Sequence, residues 1–202
     1  MRDFIRRFCL LVSGASLVGG PLANAGVFTT IHFLEPGQNM VGFEPEFVLT
    51  GGAGLAGNLR FQRGLTELSN VSLILGTGSG PRQFRAGANG TLDLFPDIEG
   101  QPGVGIAGQG VFYQTPNAGL FEVTAIPYIH EEFDSAQGGV EPYFAFPFGA
   151  GFTGGRYQSV SSAVVGTFFK ANERVRYSIE LAVGVSNAES ALSGGFAYRF
   201  NP

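Results

Sequence analysis

Apolar residues recur at every second position near the end of the chain. From Val175 to Val185 the odd positions read Val175, Tyr177, Ile179, Leu181, Val183 and Val185, with Arg176, Ser178, Glu180, Ala182 and Gly184 between them. After Asn187-Ala188-Glu189-Ser190 the rhythm resumes: Leu192, Phe196, Tyr198 and Phe200 alternate with Ala191, Ser193, Gly195, Ala197 and Arg199. A period of two is the strand period, because successive side chains leave opposite faces of the backbone. Long strands that are apolar on one face and charged on the other suit a closed barrel in a bilayer, with lipid outside and a polar lumen inside.

The same pattern predicts strands at 27–34, 40–50, 54–63, 68–77, 82–95, 103–114, 119–130, 139–152, 156–170, 173–185 and 190–200. The breaks carry turn chemistry, among them Pro36-Gly37, Gly51-Gly52, Pro116-Asn117, Gly138-Gly139 and Gly154-Gly155. The reading is one all-β domain, an antiparallel up-and-down transmembrane barrel of 10–12 strands. Single-chain bacterial barrels have even strand numbers with both termini on the periplasmic side. Either 27–34 lies outside the wall, giving ten, or two strands are merged, giving twelve. Weak internal likenesses favour twelve, as two six-strand halves: Ile31-His32 with Ile129-His130, and Glu44-Pro45 with Glu141-Pro142.

The amino terminus changes the picture by adding a compartment. Arg2, Arg6 and Arg7 precede a short apolar stretch, and Ala23-Asn24-Ala25 supplies an A-x-A cleavage site. Residues 1–25 read as a cleaved secretory signal peptide and 26–202 as the barrel. Cleavage would remove Cys9, the single cysteine, so no disulfide or thiol chemistry is expected. It would also remove three arginines and one aspartate, leaving 9 basic and 15 acidic residues, a net of −6. That balance excludes a basic nucleic-acid surface.

The terminal strand, with Ser193, Gly195, Tyr198 and Phe200, resembles the C-terminal assembly signal of bacterial outer-membrane β-barrel proteins. Such chains often end on the aromatic, whereas this one continues through Asn201-Pro202. The resemblance implies an outer-membrane location, contact with outer-membrane lipid, and insertion by the barrel-assembly machinery.

Phase assigns the faces. Glu44, Glu46, Arg60, Arg85, Asp93, Glu122, Arg176, Glu180 and Arg199 are expected to line the lumen, with Asn58, Gln62, Asn89 and Gln109. An Arg or Lys on the lipid face at the midplane would cost about 2–4 kcal/mol. With no Trp in the chain, the six tyrosines are candidates for the interfacial aromatic belts. Pro45, Pro127, Pro142 and Pro147 each remove a ladder donor, so bulges are expected there.

Candidate chemistry is sparse. His32 and His130 are the only histidines, and each precedes a Glu-Pro strand. Folding 27–50 about 37–38 sets His32 opposite 43 or 44, and folding 119–150 about 135–136 sets His130 opposite Glu141. His32, His130 and Glu141 thus form a candidate rim site, too poor in ligands to predict a metal. The acidic turns at 97–99 and 131–134 read as solvated loop charge, or as divalent-cation bridges to lipid phosphate if they face outward. No serine carries a motif tying it to His130 and an orienting partner, so no enzyme and no cofactor are expected. The G-x-G-x-x-G matches at 52–57 and 103–108 lack the helix that a dinucleotide site needs. The expected function is a structural envelope barrel or a narrow pore for small polar solutes. An outer-membrane barrel enzyme or lipid- or metal-binding barrel is one alternative, and a soluble secreted β-sandwich is another.

Overall fold

Alternation alone carries the chain into strands, and turn residues with unusual backbone angles join them. The structure, a computed structural model, describes residues 34–51, 53–79, 83–98, 101–115, 118–135 and 138–200. The expected signal peptide, His32 and all but Leu34 of the strand expected at 27–34 lie outside these residues.

Twelve β-segments follow in order: β1 (Asn39–Val48), β2 (Gly54–Thr66), β3 (Ser69–Gly78), β4 (Phe84–Phe95), β5 (Gly103–Gln114) and β6 (Gly119–His130), then β7 (Phe133–Ser135), β8 (Gly138–Ala145), β9 (Phe148–Thr153), β10 (Arg156–Lys170), β11 (Val175–Ser186) and β12 (Ala191–Phe200). All their pairings are antiparallel. Segment β7 prolongs β6 beyond the wall, and β8 and β9 form one stave that pairs with β6 on one side and β10 on the other. The break between them falls at Phe146-Pro147, where proline has no N–H to give. Ten staves therefore form the wall, and it closes because β12 pairs with both β11 and β1.

Ten corrects the preference for twelve, and two six-strand halves do not describe the ring. Strand β1 has neighbours on both edges, β12 and β2, so no edge remains for the hairpin expected between 27–34 and β1. Leu34 instead lies buried, its N–H donating to Asn70 Oδ1 at 3.2 Å.

The outward face is an apolar band including Phe43, Leu59, Leu73, Val123, Phe144 and Phe196. The other side of the same strands is buried. Such an arrangement sinks the soluble β-sandwich, which would bury its large apolar residues in a core. No helix among the described residues is long and apolar enough to cross a membrane. Bulges occur at Gly64/Thr66, Asp93/Phe95 and Ser161/Ser162, none of them at a proline. Pro45, Pro127 and Pro142 keep register with Gly57, Ile106 and Thr167, and their side chains face outward. The β9–β10 hairpin turns through Gly154 and Gly155 at φ 53° and 77°, a pair of left-handed angles that suits glycine.

Candidate functional site in the lumen

Each lumen residue is placed by strand parity, and what it meets is set by register. Glu44, Glu46, Arg60, Arg85, Asp93, Glu122, Arg176 and Glu180 are all buried on the inward face, while Arg199 is half-buried near the end of β12. In the first cluster Arg60 Nε donates to Glu44 Oε1 at 2.9 Å and Nη1 to Ser72 Oγ at 3.1 Å. The second joins β4 to β1: Arg85 Nη2 lies 3.0 Å from Glu46 Oε2, and its guanidinium stacks 5.4 Å from the Tyr113 ring centroid. Asn58, between them, donates to Glu44 O at 3.1 Å. Glu122 and Glu189 also lie within electrostatic reach of Arg85.

The third cluster contains the rim histidine. His130 Nδ1 is 2.9 Å from Glu141 Oε1, and Nε2 is 3.3 Å from the Asp93 carboxylate. Tyr128 donates to the same Asp93 at 2.9 Å. Carboxylates accept, so an imidazolium donating from both ring nitrogens satisfies the arrangement. The two acids flank opposite edges of the ring and diverge, which is the wrong geometry for a shared metal ion; among the described residues no group of three or more His, Cys, Asp or Glu could hold one. The expected register needs correction. His130 pairs with Tyr143, two places from Glu141, in the register set by Ser135 pairing with Gly138. A shift of two preserves parity, so Glu141 still faces inward and reaches the ring.

Glycines make these reaches possible. Asp93, Gly105 and Tyr128 lie side by side in one cross-strand row, and so do Glu180, Gly166 and Tyr143 in another. Each tyrosine lies flat over the intervening glycine, where a Cβ would collide with its ring, and its hydroxyl donates to the acid beyond. The Tyr143–Glu180 bond is 2.6 Å and the Tyr128–Asp93 bond 2.9 Å. His130 covers Gly103 in the same manner.

These contacts revise two expectations. Tyr113, Tyr128 and Tyr143 are buried in the lumen, so only Tyr157, Tyr177 and Tyr198 face outward as belt residues. Parity could have shown this, since Tyr128 is in phase with Glu122 and His130. The lumen is also not polar throughout: Ala107, Ile126, Ala145, Val164, Phe168 and Ala182 cluster with Tyr128 and Tyr143 on its inner wall. Glu189, in the break between the last two strands, is buried. At the end of the barrel where β1 begins and β12 ends, the backbone N–H of Glu132 donates to Asp97 Oδ2 at 2.6 Å, and Lys170 sits 3.5 Å from Glu132. In β12, Ser193 faces inward, whereas Tyr198 and Phe200 face outward.

Among solved structures, the chain is similar to the COG4313 outer membrane channel from Pseudomonas putida F1, with a TM-score of 0.55 and 8% identity. The match covers 87% of this chain and 100% of that one. The fold is that of a bacterial outer-membrane β-barrel. A looser likeness joins this barrel to the outer membrane protein Omp33 of Acinetobacter baumannii, with a TM-score of 0.39 and 11% identity over 81% of this chain and 98% of that one. No protein-family model and no curated protein matches the sequence.

Proposed function

We propose that this outer-membrane barrel is a structural envelope protein whose lumen is closed at rest by its own side chains. The observation that supports this is the burial of the lumen residues. Glu46 is 0% exposed, Arg60 2%, Arg85 2%, Asp93 5% and Glu180 5%. A ten-strand barrel is wider than the eight-strand size whose side chains just fill it. Arginines, tyrosines and glutamates reaching across the staves take up the difference. In a water-filled pore the same groups would be solvated. The termini would lie on the periplasmic side, the apolar band in outer-membrane lipid, and β12 would be read by the assembly machinery during insertion.

The likeness to a channel favours a second reading, a narrow pore for small polar solutes. Planar-bilayer recording on the refolded mature protein separates the two. The closed barrel predicts a silent bilayer despite a heat-modifiable, folded band on a gel. Steady unitary conductance from that same folded preparation would overturn it in favour of the pore.

A further inference from the structure

Arg176 is the buried lumen cation with the weakest visible anchorage. It is 5% exposed, and its nearest carboxylate oxygen, Glu141 Oε2, is 4.0 Å away, beyond hydrogen-bond reach. Its Nε has no hydrogen-bond partner among the described residues. A buried guanidinium nitrogen without an acceptor is expensive, since an ion pair at 4.0 Å compensates its desolvation only in part. Of the neighbouring acids, Glu141 holds His130 through Oε1 and turns only Oε2 toward Arg176, at 4.0 Å, while both oxygens of Glu44 are bonded to Arg60. The charge of Arg199, one strand over, adds to that of Arg176.

A cavity of about 20 Å³ is lined by Arg176 together with Met40, Glu44, Phe168, Ser178 and Ala197 among others. Register explains the gap. Arg176, Ala197, Gly42 and Arg60 form one cross-strand row, so two residues with almost no side chain separate two arginines. Space of that size holds one water or one small ion. We propose that the cavity is a binding site for a single small monovalent anion of chloride size, held by the Arg176 guanidinium over the floor formed by Ala197. Arg176 and Met40 each stand second in their strands, at the barrel end where β1 begins and β12 ends, so an anion has a short path in past half-buried Arg199. The site does not require an open lumen.

The test uses the mature barrel refolded in detergent without chloride. Crystals soaked in sodium bromide should show an anomalous peak within about 3.5 Å of the Arg176 guanidinium. In solution, chloride or bromide should raise the unfolding midpoint by a few degrees over gluconate at equal ionic strength, as expected for a ligand that binds only the folded state. Arg176→Met should abolish that difference. Ala197→Leu, which fills the floor and keeps the guanidinium, should abolish it as well and covers the case in which Arg176→Met does not fold. A water without anomalous signal at the guanidinium, or equal midpoints for the wild type in chloride and gluconate, would overturn the site.

Discussion

Replacing Gly166 with alanine tests the row formed by Tyr143, Gly166 and Glu180. The added methyl would occupy the space of the Tyr143 ring, which lies over that glycine. Overpacking of this kind costs about 1–3 kcal/mol. If the ring is pushed aside, its 2.6 Å bond to Glu180 is lost as well, and a hydrogen bond to a charged group is worth about 1.5–3 kcal/mol. Together the loss should reach roughly 3–5 kcal/mol. Tyr143→Ala should itself cost about 3–5 kcal/mol, since it removes a buried ring and the same bond. In the double variant there is no ring to collide with and the bond can be lost only once. The double should therefore be little worse than Tyr143→Ala, with a coupling of at least about 2 kcal/mol in favour of the pair. Urea unfolding in detergent micelles, followed by loss of heat-modifiable mobility, measures all four corners of the cycle. Full additivity, or a Gly166→Ala cost below about 0.5 kcal/mol, would refute the claim that the glycine exists to let the tyrosine across.

Other parts of the molecule give further expectations. Glu46→Gln should destabilise by about 3–5 kcal/mol in the same unfolding assay because it strands Arg85, whereas Glu46→Met with Arg85→Met should recover most of that loss. Leu59→Arg, on the outward face of β2, should cost about 2–4 kcal/mol in lipid vesicles, and a neutral result would place β2 away from the bilayer. Replacing Tyr198 and Phe200 together with alanine should slow insertion into vesicles by the purified assembly machinery while leaving unassisted refolding in detergent intact. Equal assisted rates would remove the assembly role from β12.

Much of this barrel was legible without its fold. A period of two needs no partner to be visible, so the strands from Asn39 to Phe200 and their inward and outward faces follow from residues close in sequence. That Glu46 and Arg60 face in while Phe47 and Leu59 face out is a statement about parity, and parity survives even a hairpin misread by two residues, as at His130 and Glu141. The number of staves was not legible, because closure depends on which edges are already taken, and only the pairing of β1 with β12 leaves no edge for another strand. Nor was the filling of the lumen. Tyr128 reaches Asp93, and Tyr143 reaches Glu180, across glycines that stand opposite them only after three strands have settled in register. Local alternation determined which way each side chain points. Register, which accumulates turn by turn around a closed ring, decided what each one meets there.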